Sequence, residues 1–239
     1  MNDLAVFCWS HTSYQDLLPV FAGRLVKHWP ALSKAYVALE APCNANCAPL
    51  QQLINNETLP YWQRLINCLI EVKEEFILYC QEDFILYNNV DNNELNKVFQ
   101  WGKANSYSCI KLLRSGPDSL SFPLSHRLYQ SSAELAAVHQ AAIWNKNRLI
   151  QLMEACRPAS VRDFERHQLA SKAMSSLGMQ SCFYFHEQSP SRGGHYDSLI
   201  FPYTATAVSA GKWNTMEYGP EIQAIAQEYS ISLEQRGCL

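Results

Sequence analysis

Apolar runs and amphipathic stretches alternate along the first half of the chain. Residues 4–9 form a short, continuous apolar run that reads as a strand, and the polar loop Ser10-His-Thr-Ser-Tyr14 follows it. Residues 14–28 place Leu17, Leu18, Phe21 and Leu25 on one helical face, and Trp29-Pro30 stops that helix. Residues 35–39 read as a second strand, closed by Glu40. Residues 42–60 read as a loop with a short helical portion, and 62–74 as an amphipathic helix with Leu65, Leu69 and Val72 inward. Residues 76–80 are a third strand, 91–105 a helix and 109–113 a fourth strand. Strand–helix–strand units of this kind build a parallel sheet.

Beyond residue 115 the pattern changes. Leu128-Tyr129 and residues 135–138 are candidate strands, and 143–156 reads as a helix with Leu149, Ile150 and Met153 inward. Residues 160–176 hold one or two helices, opened by Ser160-Val-Arg-Asp163, a capping-box variant with Asp at its last position. Residues 181–185 and 198–201 read as late strands, and 219–230 as a terminal helix. The expected architecture is therefore one α/β domain over 1–239, with an alternating half at 1–115 and a mixed half at 116–239.

In such sheets ligands bind beyond the carboxyl ends of the strands. Those ends here are polar or acidic: Ser10 to Tyr14, Glu40, and Gln81-Glu82-Asp83. A buried strand running straight into two carboxylates is costly unless a cation compensates them. A lysine or arginine such as Lys111 or Arg114 would serve, and so would Mg²⁺ or Mn²⁺, hard ions that take oxygen ligands. A solvated strand-to-turn junction is the plain alternative.

Composition narrows the classes. The 239 residues are 48% hydrophobic and 17% charged, ordinary for a globular protein. A net charge of −3, with no basic block, argues against a nucleic-acid partner. No apolar run is long enough to span a bilayer. The first residues lack a basic region and a long apolar core, so no secretory leader is expected. Nine cysteines, several within apolar runs, suit a reduced cytoplasmic protein better than a disulfide scaffold. Cys43 and Cys47 have a spacing that holds zinc in other proteins, but no second Cys/His pair accompanies them.

Several segments together resemble the GT-A-fold nucleotide-sugar glycosyltransferases of bacterial surface-polysaccharide synthesis (family 2-like). The opening Phe7-Cys-Trp-Ser-His-Thr-Ser-Tyr-Gln-Asp-Leu-Leu-Pro-Val-Phe21, with Lys27-His-Trp-Pro30 and Tyr36-Val-Ala-Leu-Glu40, is similar to that family's start. The run 76–84 resembles the strand ending in its metal-binding DxD motif, read here as Gln81-Glu82-Asp83. Gln-Ala-Ala-Ile-Trp144, followed by Arg162-Asp-Phe-Glu165, is similar to its acceptor-side half, and Ala210-Gly-Lys-Trp213 also matches. Each motif is short; their arrangement over most of the chain is the more specific signal.

The resemblance implies a Rossmann-like nucleotide-binding half with a mixed sheet, and an acceptor-side half. It implies a nucleotide-sugar donor, and a glycan or lipid-linked oligosaccharide acceptor reached at the inner face of a membrane with at most peripheral contact. Asp83 matches the last acid of the motif, which touches the Mn²⁺ or Mg²⁺ bridging the diphosphate. Glu82 takes the middle position, as a donor contact or support. Gln81 replaces the first acid, removing one anionic contact to the sugar or ion. Glu165 matches the acid that deprotonates the acceptor hydroxyl in inverting members; its plain alternative is a helix N-terminal acid favoured by the macrodipole, with Asp163 as its rival.

His11, Thr12, Ser13 and Tyr14 are candidates for the base and ribose, with Tyr14 able to stack and Ser13 alternatively a helix N-cap. Glu40 is a further base or ribose candidate, and Lys212 a phosphate candidate. Trp144 offers a sugar platform or belongs to the core. Arg192 and His195 lie in a glycine-bearing loop, as phosphate and metal candidates or as plain surface. The fingerprints of P-loop, dinucleotide-binding and α/β-hydrolase proteins are absent. A catalytically degenerate scaffold of the same fold is the rival reading.

Overall fold

A computed structural model describes residues 3–239. In chain order the strands are β1 (Leu4–Trp9), β2 (Ala35–Leu39), β3 (Gln51–Ile54), β4 (Phe76–Gln81), β5 (Cys109–Lys111), β6 (Arg114–Ser115) and β7 (Pro123–Ser125). They continue as β8 (Leu128–Gln130), β9 (Ala142–Asn145), β10 (Ser181–Tyr184), β11 (Ser191–Arg192), β12 (His195–Tyr196), β13 (Val208–Ser209) and β14 (Lys212–Trp213). The helices are α1 (Leu18–His28), α2 (Tyr61–Glu71), α3 (Asn92–Ala104), α4 (Lys146–Cys156), α5 (Val161–Glu165), α6 (Leu169–Ser176) and α7 (Thr215–Tyr229).

Nine strands form one sheet in the order β3-β2-β1-β4-β9-β5-β10-β8-β7. The first four are parallel. β9 runs against both β4 and β5, which makes the sheet mixed at its centre. The α/β class with a parallel half and a mixed sheet, expected from the sequence, is the one observed. The sheet takes strands from both halves of the chain.

Alternation along each strand feeds two cores. Leu4, Val6, Cys8, Phe76, Leu78 and Cys80 face one layer, closed by α1, α3 and α7. Ala5, Phe7, Trp9, Ile77 and Tyr79 face the other, closed by α2, α4 and α6. Because both faces are covered, β1, β2 and β4 read as unbroken apolar runs. That is why their bounds were legible in the sequence.

Five expectations are corrected. The segment 42–60 holds an edge strand, β3, and no helix; within β3 only Leu53 is buried, so the strand's apolar signal is faint. Residues 143–145 belong to β9, and the helix begins only at Lys146, where the Asn145 side chain caps it by accepting from the Arg148 N–H at 3.1 Å. Residues 135–138 form no strand; a 3₁₀ turn occupies Ala133–Leu135. Residues 198–201 also form no strand, although Tyr203 bridges Leu86 just beyond. The expected helix over 14–28 starts as a 3₁₀ turn, Thr12–Leu17, before α1.

Trp144 is core, not a platform: it is 2% exposed between β4 and β5. Trp144→Ala should therefore cost about 3–5 kcal/mol of stability, measured by urea denaturation, without changing the affinity for any nucleotide.

Candidate functional site

The carboxyl ends of β1, β2 and β4 lie side by side, in register through Trp9, Ala38 and Gln81. A cleft of about 630 Å³ opens over them, lined by Trp9, Ser10, His11, Ser13, Tyr14, Gln81 and Glu82, and walled opposite by Ser160, Val161 and Arg162. Glu82, which lines this cleft, and Asp83 next to it in the chain are both buried, each 8% exposed. The Val208 N–H donates to Asp83 Oδ2 at 3.3 Å, and Thr204 Oγ1 donates to the Asp83 carbonyl at 2.9 Å.

Neither acid has a lysine or arginine within ion-pair distance among the described residues. The cations expected as alternatives are engaged elsewhere. Lys111 is sealed in an ion pair with Asp118 at 2.7 Å, neither side chain exposed. Arg114 lies over the Phe185 and Tyr196 rings and donates to the Asp118 carbonyl. Burial therefore raises the Glu82 carboxyl to about 8, helped by the Asp83 charge, and raises Asp83 to about 7. The buried Ser10 hydroxyl leans towards Glu82 without reaching hydrogen-bond geometry.

The loop after β1 is held from beneath. Glu40 accepts from the Thr12 N–H at 3.3 Å and Thr12 Oγ1 at 3.0 Å, and lies 3.5 Å from His11 Nε2. Arg64 reaches Glu40 at 2.5 Å and Asn55 at 2.7 Å, with its guanidinium over Trp9. Burial pushes the Glu40 carboxyl up, but the bonds from Arg64 and Thr12 outweigh it and hold it below the ordinary range. Glu40 thus braces the loop. The N-cap here is His11, whose Nδ1 accepts from the Ser13 N–H at 3.1 Å; Ser13 is not the cap.

Arg236 was not visible as a site residue. It pairs with Asp16 across the loop and lies over the Tyr14 ring at 5.0 Å, so one face of Tyr14 is already covered. Its charge also reaches Glu82. No local pattern in the sequence joins residues 16 and 236. Lys212 is exposed at the β13–β14 hairpin, whose Val208 holds Asp83.

Glu165 lines a second cleft of about 510 Å³ with Ser160, Arg162, Asp163 and Arg166; Ser160 and Arg162 wall both clefts. Glu165 ends α5, so the macrodipole does not explain it. Its Oε1 accepts from the His139 N–H, while partial desolvation raises the carboxyl. Asp163 is the capping acid expected: Ser160 Oγ accepts from its N–H at 3.2 Å, and its own carboxylate accepts from the Ala159 N–H.

Arg192 and His195 are not brought to this site. Arg192 pairs with Asp197 and Glu221, and His195 Nε2 meets the Tyr218 hydroxyl at 2.7 Å. Cys43 and Cys47 have their sulfurs 3.6 Å apart, with no third ligand beside them. A hollow of about 310 Å³ at the opposite end of β1, around Trp29, carries no titratable group.

Among the described residues, no group of three or more protein ligands surrounds a metal position. Two carboxylates without a cation nevertheless fit a hard divalent ion whose remaining ligands are water and substrate phosphate, the usual arrangement for Mg²⁺.

No protein-family model matches the sequence, and no curated protein matches it. Among solved structures the chain is similar to S. aureus TarS 1-349, at 11% identity and a TM-score of 0.48, over 98% of this chain and 68% of that one. It is similar to CMP:2-keto-3-deoxy-manno-octonic acid synthetase complexed with CTP, at 10% identity and a TM-score of 0.47, over 75% and 88%. It is similar to the bifunctional IspDF from Campylobacter jejuni, at 14% identity and a TM-score of 0.44, over 77% and 50%.

The raised acids give the folded protein a pH signature. The native pair holds protons that the unfolded chain has released above pH ~4, so raising the pH costs stability. Stability from the pair should be full below pH ~4, fall as the pH rises to about 8, and level off above. Thermal unfolding should show this slope, and Asp83→Asn should reduce it.

Proposed function

We propose that the chain transfers a sugar from a nucleoside-diphosphate donor to a hydroxyl group of a surface glycan. The observation that carries this reading is the Glu82–Asp83 pair, buried without a cation, with Glu82 lining a cleft over parallel strand ends. The sequence resemblance to GT-A glycosyltransferases, carried by the arrangement of short motifs over most of the chain, supports it.

The donor's nucleotide would lie along the loop His11 to Tyr14, braced by Glu40, with Arg236 over Tyr14 and Lys212 of the β13–β14 hairpin as the candidates to meet phosphate charge. Asp83, with Glu82 beside it, would hold the Mn²⁺ or Mg²⁺. When bound, that ion supplies Lewis-acid stabilisation of the departing diphosphate. Gln81 offers an amide where an acid would be expected, leaving the ion two protein carboxylates at most.

In the second cleft Glu165 takes the proton of the acceptor hydroxyl. The acceptor oxygen then bonds to the anomeric carbon as the carbon–oxygen bond to the diphosphate breaks. Attack from the side opposite the leaving group would invert the anomeric centre. A carboxyl raised by partial desolvation is a stronger base than an ordinary one. The acceptor is a glycan or lipid-linked oligosaccharide. Among the described residues, no helix is long and apolar enough to cross a membrane, so contact with a lipid-linked acceptor would be peripheral.

Two measurements test this. Thermal unfolding against a panel of nucleoside diphosphates should show one that stabilises the protein by about 2.7 kcal/mol at a hundredfold excess over Kd. Mn²⁺ should enlarge that shift, and Asp83→Asn should abolish the enlargement. No shift with any nucleotide would favour a degenerate scaffold. Glu165→Gln should lower kcat by ~10²–10⁴-fold while leaving nucleotide binding intact; undiminished turnover would remove Glu165 from the mechanism.

A further inference from the structure

Arg162 and Arg166 stand out for what they do not touch. Every other arginine of the chain is engaged by a carboxylate, a ring, or a neighbouring amide or carbonyl, from Arg24 on Glu228 to Arg236 on Asp16. Arg162 and Arg166 have no side-chain hydrogen bond, ion pair or ring contact among the described residues, and both line the cleft that holds Glu165.

Acids are at hand but already employed. The Asp163 carboxylate accepts from the Ala159 N–H, and Glu165 from the His139 N–H. Neither comes within 4 Å of a guanidinium, although the four side chains share one short segment. Backbone donors hold the acids, and the two cations are left facing the cleft.

The backbone after Arg166 is also unusual. His167 and Gln168 are consecutive non-glycine residues in the left-handed region, at φ 53° and 58°. Among the described residues, no other two adjacent non-glycine residues share that conformation. Strain of this kind persists where the surroundings impose it, and it collects at binding and catalytic sites. Here it forms the turn between α5 and α6, directly after Arg166.

We infer that Arg162 and Arg166 bind an anionic group, a phosphate or carboxylate, carried by the acceptor next to the hydroxyl that Glu165 deprotonates. The inference rests on the transferase reading and adds the chemical class of the acceptor. Planar guanidinium forks suit such groups, each offering two parallel hydrogen bonds. A neutral glycan would leave both charges unmatched at the rim of its own site. Because Arg162 also walls the donor cleft, the anionic group would lie on the donor-facing side of the acceptor.

Calorimetric titration of the full chain tests this with three probes, glucose, glucose 6-phosphate and glucuronate, with and without a nucleoside diphosphate filling the first cleft. At least one charged sugar should bind tenfold or more tightly than glucose, and which of the two does so separates phosphate from carboxylate. Arg162→Gln with Arg166→Gln should abolish that preference, and Arg166→Gln alone should weaken it while leaving nucleotide affinity unchanged. Equal binding of charged and neutral sugars would overturn the inference. So would an Arg166→Gln variant that loses nucleotide affinity as much as probe affinity, which would assign the pair to the donor. Failure of every nucleotide to bind would instead count against the transferase reading, and the charged-sugar preference would be read independently of it.

Discussion

Two adjacent carboxylates, withdrawn from water with no cation between them, set the terms for the surrounding structure. The same protein shows the usual remedy a few strands away, where Lys111 and Asp118 neutralise each other with neither exposed. At Glu82 and Asp83 that remedy is withheld, and the carboxyls respond by holding their protons. The chain around them is ordered accordingly. Thr204 and Val208 tie the C-terminal segment to Asp83, and Thr204 also closes on Ile85 through both its N–H and its hydroxyl. Buried acids with shifted titration in so ordered a setting are the kind of feature that collects at functional sites.

The two clefts handle charge in opposite ways while sharing Ser160 and Arg162 as a wall. In the first, the buried Glu82 and the adjacent Asp83 lie without a lysine or arginine partner among the described residues. In the second, arginines stand unmatched beside acids that backbone N–H groups already hold. The common wall brings these two imbalances next to each other, in the place where a phosphate-bearing donor and its acceptor would meet. Glu40 plays a quieter part: held by Arg64 and Thr12, it stiffens the loop that would touch a ligand.

How much of this the sequence disclosed depends on how locally each feature is encoded. The buried strands β1, β2 and β4 were legible because burial on both faces leaves an unbroken apolar run. The acids at the end of β4 were legible for the same reason, since charge ending such a run is conspicuous. Asp163 as a cap followed from Ser160 three residues before it. By contrast, β9 was hidden because Ile143 and Trp144 also fit the apolar face of the helix that follows, and only Asn145 marks the boundary. Arg236 was hidden because its partner Asp16 lies 220 residues away. The meaning of Arg162 and Arg166 was hidden because an unpaired side chain leaves no trace in a sequence; it appears only when the partners of all the others are known.

The position of β9 bears on how the chain reaches this structure. β4 and β5 are separated in sequence by α3 alone, yet they do not pair; the strand between them comes from residues 142–145. Until that segment arrives, two apolar strands stand with open hydrogen-bonding edges, which are prone to join another chain. The alternating first half therefore has the look of a self-sufficient unit without being one. Its sheet is completed from downstream, so a fragment ending near residue 115 should be aggregation-prone, and during synthesis the nascent first half must wait for the second before its central edges close.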